Sequence, residues 1–197
     1  MAPNRIMRGR AMRRALLLGA IVAVVSMALG ACGGGSDSTT DKEADVRVLN
    51  EILARQLAAV EAYDQALPAL RGPARALAQR FRTQEQEHVD ATTKTLRGLD
   101  GEADPPAETI EAGEPKTPAD ALAFLYELES ATIDAELNAV AELTIAWPRP
   151  LIASMAANQA QRLVLIRRAL GAKPLDTVPE PFETGETPDP QEMMKNP

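Results

Sequence analysis

Glu85-Gln86-Glu87-His88 is the segment of this chain richest in chemistry. On a helix, the i, i+3 spacing sets a carboxylate and an imidazole side by side on one face, where the two can grip one metal ion. Gln56, Glu129, Gln159 and Arg162 each interrupt an otherwise apolar helical stripe near its middle, and Glu136 follows Glu129 on the same stripe. A buried polar group without a partner costs about 1 to 3 kcal/mol. Polar groups stacked at one level must therefore satisfy one another or hold something. Arg162 cannot deprotonate, so it repels a cation and pairs with Glu129 or Glu85. Other chemistries have little to work with. His88 is the single histidine and Cys32 the single cysteine, and there is neither a Gly-rich phosphate loop nor a Ser-His-Asp constellation. Tyr63 and Phe81 read as core rather than redox relays, while Glu87, Glu127 and Asp134 point off their stripes towards solvent.

Four helices must position these groups. Thr40-Asp41-Lys42-Glu43 has the pattern of a capping box with Thr40 as N-cap. Beyond it, Val46, Leu49, Leu53, Gln56, Val60, Tyr63 and Leu67 recur at spacings of three and four, and Pro68 closes the helix. The second helix runs from Pro73 to about Arg97 with Gly98 as its C-cap, and its stripe is Leu77, Phe81, Glu85, His88, Thr92 and Leu96. Thr117-Pro118-Ala119-Asp120 opens the third, whose seam is Leu122, Leu125, Glu129, Thr132, Glu136, Val140 and Leu143. The fourth starts near Pro150, carries Ile152, Met155, Gln159, Arg162, Ile166 and Leu170, and stops at Gly171. No segment alternates as a strand does. Short turns make the first pair and the second pair antiparallel. Residues 99 to 116 form a proline-punctuated acidic loop that, fully extended, reaches roughly 60 Å, enough to run the length of a bundle. From Lys173 onward six prolines forbid helix, which predicts an extended or disordered tail over residues 173–197.

The N-terminus carries an address. Arg5, Arg8, Arg10, Arg13 and Arg14 precede an uncharged run from Ala15 to Ala31, which ends in Leu29-Gly30-Ala31-Cys32 and then Gly33-Gly34-Gly35-Ser36. This resembles the lipobox of bacterial lipoproteins. The resemblance implies a signal peptide over residues 1–31, diacylglyceryl attachment to Cys32, and a tether over residues 32–40. It places the remainder at the outer face of the cell membrane after secretion through the general export route, with Arg13-Arg14 loosely resembling a twin-arginine signal. Without the first 31 residues the count is 16 basic against 28 acidic residues, a balance that repels phosphate backbones and excludes nucleic acid as a default partner. Aromatics make up only 3% of the chain, so the core must be aliphatic, which suits packed helices.

Helix order, the long crossover, Glu85 with His88, and phrases such as Leu53-(x)9-Tyr63 and Gln159-Ala160-Gln161-Arg162-Leu163 resemble the ferritin-like superfamily over residues 41–172. The resemblance implies an all-α, four-helix bundle of two helical hairpins with the crossover between helices 2 and 3. It also implies a di-iron pattern of Glu on the first helix, Glu-x-x-His on the second, Glu on the third and Glu-x-x-His on the fourth. Aligned by seam, this chain keeps Glu85, His88 and Glu129. It has Gln56 and Gln159 where Glu is expected, and Arg162 where His is expected.

The expectation is thus a lipid-anchored module with a degenerate site, non-catalytic, with no cofactor and a role in binding or scaffolding. Gln56, Glu136, Gln159 and Arg162 would form its polar core network. The competing expectation is an oxidoreductase or storage protein holding iron, manganese or another divalent metal on Glu85, His88 and Glu129. Expected partners are the membrane through Cys32, a protein the sequence does not identify, and a second copy of the chain through an exposed helix face.

Overall fold

The computed structural model describes residues 39–110, 113, 115–174 and 177. Cys32, the apolar run before it, the glycine-rich segment and most of the proline-rich tail lie outside the described residues. Four helices follow in order: α1 (Thr39–Ala66), α2 (Gly72–Gly98), α3 (Pro118–Glu142) and α4 (Arg149–Ala169), with a short 3-10 turn at Leu67–Ala69 between the first two. Among the described residues there is no strand, and no helix is long and apolar enough to cross a membrane.

The helix ends follow local chemistry, with two departures from expectation. Pro118 occupies the first turn of α3, and Thr117 and Asp120 exchange side-chain and backbone hydrogen bonds as a full capping box. Gly171, at φ +97°, supplies the left-handed residue after α4. α1, however, already includes Thr39, so Thr40 lies within its first turn rather than capping it. At the end of α2 the left-handed residue is Asp100 (φ 58°), two beyond the expected Gly98, and Gly101 N–H closes the turn on the Leu96 carbonyl at 2.9 Å. Gly101 is needed for another reason. A Cβ there would stand 2.5 Å from Val46 Cγ2, so only glycine lets this turn press against α1.

The crossover runs down α1. Asn50 holds its start, donating to the Glu102 carbonyl at 3.1 Å and accepting from Asp104 N–H at 2.8 Å. Arg55 pairs with Glu108 at 3.1 Å one turn further on, and Ile110 packs on the apolar cluster around Tyr63 and Leu125. The chain thereby reaches the far end of the bundle before α3 starts.

Two apolar clusters fill the interior. One gathers Tyr63, Leu70, Phe81, Leu122, Leu125, Tyr126 and Ile166 at the α1–α2 turn end. The other gathers Leu49, Leu53, Leu96, Leu99, Leu143, Ile152 and Met155 at the α3–α4 turn end. Each fully buried aliphatic side chain contributes about 1.5 to 3 kcal/mol, which makes these clusters the main source of cohesion. Between them, on every helix, lies a polar layer.

Candidate functional site

That layer contains Gln56 from α1, Glu85 and Thr92 from α2, Glu129 and Glu136 from α3, and Gln159 and Arg162 from α4, all buried. His88, on α2, is 13% exposed and opens the layer towards the surface. Seven of the eight residues singled out from the sequence therefore converge, and the eighth, Cys32, lies outside the described residues.

Arg162 occupies the centre. The residue is 1% exposed and heads the fully buried side chains by volume. Nη1 donates to Glu85 Oε1, and to Glu129 Oε1 at 3.1 Å. Nε and Nη2 both donate to Asn158 Oδ1, at 3.1 and 2.8 Å. The Phe81 ring covers the guanidinium carbon at 5.5 Å from its centroid. Charge-assisted bonds in so dry a setting are strong, and removing one partner is expensive.

The remaining contacts spread outward from this pair of carboxylates. Gln159 Nε2 lies 3.3 Å from Glu85 Oε1 and 3.4 Å from Glu136 Oε1. Gln56 accepts from Thr92 Oγ1 at 2.8 Å and turns its Nε2 to Met155 Sδ at 3.4 Å. Tyr63 donates its hydroxyl to Glu129 Oε1, so it belongs to the network as well as to the core. His88 Nδ1 comes within 3.5 Å of Glu85 Oε1. Glu87 and Glu127 are exposed and Asp134 half-buried, away from the layer.

Acceptors outnumber donors here. Glu85 Oε2, Glu129 Oε2, Glu136 Oε2 and Gln159 Oε1 are buried without a hydrogen-bond partner, as is His88 Nδ1, which faces Glu85 Oε1 as a donor at the long distance of 3.5 Å. One guanidinium cannot serve three carboxylates, and protons make up the deficit. Burial pushes the Glu136 carboxyl up to about 8, with the charge of Glu85 adding to it. Burial likewise pushes Glu129 up to about 7, against the opposing pull of Arg162. For Glu85, burial raises the value, but His88 and Arg162 together outweigh it and hold the carboxyl below its ordinary range. Burial and the neighbouring Glu129 raise the Tyr63 phenol, which stays protonated as a donor. Burial works against the charge of Arg162, yet Glu129 and Glu85 more than offset it and hold the guanidinium above its ordinary value.

A pair of divalent cations does not fit this donor set. Such a pair needs several anionic oxygens and usually two imidazoles. Here Gln56 and Gln159 are uncharged, His88 is the single imidazole, and a permanent cation already bonds both Glu85 and Glu129. Among the described residues no three of His, Cys, Asp and Glu stand close enough to hold a metal ion together.

Asn158 and Tyr63 escaped notice as members of the network. Asn158 lies four residues before Arg162 on the same face, a spacing that could have nominated it. Asp45, also missed, is wholly buried at the end of the bundle and accepts from Thr144 N–H (2.8 Å), Thr144 Oγ1 (3.0 Å) and Ile145 N–H (2.9 Å).

Comparison with known proteins bears on this arrangement. The model of a family described as a ferritin-like domain matches residues 44–172. The structure is similar to that of a conserved hypothetical protein, rv2844, from Mycobacterium tuberculosis, at a TM-score of 0.60 and 22% identity, covering 72% of this chain and 99% of that one. It is also similar to a structure titled as ferritin-like, diiron-carboxylate proteins from Bacillus anthracis str. Ames, at a TM-score of 0.55 and 20% identity, covering 66% of this chain and 98% of that one. No curated protein matches the chain.

Proposed function

The chain belongs to the ferritin-like domain family, and from that premise we propose that it is a lipid-anchored extracytoplasmic module whose bundle has exchanged the metal centre for an internal salt bridge and serves in binding or scaffolding rather than catalysis. One observation carries the reading: Arg162 Nη1 bonds both Glu85 and Glu129, putting a protein cation between the carboxylates a metal would need. A buried charge that cannot leave makes the layer independent of metal supply. Anchoring rests on Leu29-Gly30-Ala31-Cys32 behind an uncharged run.

A single divalent cation on Glu85, His88 and Glu129 is the competing reading, and the unpartnered Glu85 Oε2, Glu129 Oε2 and His88 Nδ1 favour it. Metal analysis separates the two. Protein purified from cells grown with added iron, manganese and zinc should carry none of them in stoichiometric amount, and its melting temperature should not respond to these ions. One tightly held metal per chain would replace the salt-bridge reading with the metalloprotein one. Anchoring is tested separately. The wild-type chain should take up labelled palmitate and Cys32→Ser should not, and equal labelling of both would remove Cys32 as the attachment point.

A further inference from the structure

We infer that the bundle has a second membrane contact, Trp147, which seats its tethered end on the lipid surface. The inference rests on the anchoring of Cys32 proposed above and adds an orientation to it. Trp147 is the only tryptophan of the chain and, at 52%, the most exposed large apolar side chain among the described residues. Leu57, Leu137 and Leu165, the other exposed ones, lie within α1, α3 and α4 and belong to helix flanks, whereas Trp147 lies in the turn between α3 and α4.

That turn is fixed at the end of the bundle where α1 begins. Asp45, in the second turn of α1, takes three hydrogen bonds from Thr144 and Ile145, so the turn cannot move away from the start of α1. The end of α2 joins the same surface through the Lys42–Asp100 ion pair at 3.4 Å. It also provides the seat for the indole. A Cβ on Gly98 would stand 3.0 Å from Trp147 Cη2 and 3.5 Å from Cζ2, so one edge of the ring rests on the bare backbone at the end of α2 while half of the residue stays exposed. Ala146 and Pro150 beside it are exposed too, which leaves a small apolar patch around the ring.

The occupant of this patch follows from chain length. Seven residue steps separate Cys32 from Thr39, and a fully extended chain of that length reaches at most about 25 Å. The opposite end of α2, a helix of 27 residues, lies roughly 40 Å further along the bundle. Lipid attached at Cys32 therefore keeps a bilayer within reach of the Trp147 end. Indole rings favour the boundary between headgroups and acyl chains, where the ring is apolar and its N–H can still meet water. Electrostatics cannot substitute for the ring. Asp41, Glu43, Asp100 and Glu102 stand beside Lys42, Arg97 and Arg149 at this end, so it presents no cluster of cations for an anionic headgroup layer to attract. The contact is therefore interfacial and requires no anionic lipid.

Because Trp147 is the only tryptophan, its own fluorescence reads the contact. The full chain, produced in a bacterial host, is reconstituted into phosphatidylcholine vesicles and into vesicles mixed with phosphatidylglycerol. Flotation and the mass of the Cys32 peptide report anchoring. Emission wavelength and quenching by lipid-borne nitroxides report the indole. The expected result is flotation, emission shifted to shorter wavelength, and a loss of intensity to shallow lipid nitroxides in both lipid mixtures. Floating protein whose tryptophan is quenched by aqueous acrylamide but not by lipid nitroxides overturns the inference and leaves the anchor standing. A shift that grows with protein density and ignores the lipid quencher also overturns it, in favour of a second copy of the chain. Failure to float at all overturns the anchor, and the inference with it.

Discussion

Without the Arg162 guanidinium, Glu85 would be a carboxylate 1% exposed with no full charge bonded to it. Breaking a buried pair in that way costs ~3 to 5 kcal/mol, so Arg162→Leu should lower the unfolding free energy by that amount in denaturant titration at pH 8. A loss below about 1 kcal/mol is what an exposed pair would give, and would contradict the burial of this one. The protonated carboxyls nearby set a second expectation. Glu136 and Glu129 are held above their ordinary value in the folded chain, at about 8 and about 7, so folding binds protons there. Their contribution is complete below the unfolded value, near 4.5, and is lost as pH rises through about 7 and then about 8. Glu85, held low, acts in the opposite sense and only towards acid. Melting temperature should accordingly fall from about pH 5 to about pH 8 and level off above it, and Glu136→Gln, which keeps the shape and removes the ionisation, should flatten the upper part of the fall. An unchanged profile in that variant would mean that Glu136 is already ionised at neutral pH.

At the scale of elements, most of the fold was legible because helices announce themselves locally. Spacings of three and four gave the four stripes, Thr117-Pro118-Ala119-Asp120 gave the start of α3, and the length of the proline-rich crossover gave its path from one end to the other. What stayed hidden were the polar residues whose partners lie far along the chain. Asp45 serves backbone groups 99 and 100 residues away, and Asn50 serves the crossover 52 and 54 residues away, pairings that no local pattern encodes. Gly98 was legible as special, but its reason is a tryptophan from another helix pair rather than a helix cap. The side chain at 45 matters more than its place in the second turn of α1 suggests. Asp45→Ala would leave the N–H groups of Thr144 and Ile145 without partners, at about 1 to 3 kcal/mol for each one that water cannot reach. Stability should fall by about 2 to 4 kcal/mol on that account, and amide exchange should quicken first at Thr144 and Ile145. Exchange that quickens evenly across the bundle instead would deny Asp45 a local role.

Over the described residues, two apolar clusters hold four helices around a layer whose positions are set by packing. The layer can therefore be rewritten while the scaffold stays. Residues 56, 85, 129, 159 and 162 are buried in one layer with His88 at its edge, and its centre is a guanidinium that a cation would have to displace. The triple change Gln56→Glu, Gln159→Glu and Arg162→His removes that fixed charge and restores the carboxylates and second imidazole that two divalent ions require. The variant alone should be less stable than wild type, because it gathers like charges in a dry interior. Metal should reverse this. An ion that binds only the folded chain, at about a hundred times its dissociation constant, adds about 2.7 kcal/mol, enough to raise the melting temperature by several degrees. The measurement is melting temperature in both proteins with and without ferrous, manganous or zinc ions. A rise in the variant and none in wild type is the expected pair of results. A strong rise in wild type would mean that Arg162 yields to a cation after all, and the salt bridge would then be a resting state of a metal site. Silence in both, with the variant folded, would mean that the six side chains share a layer without aiming at one point.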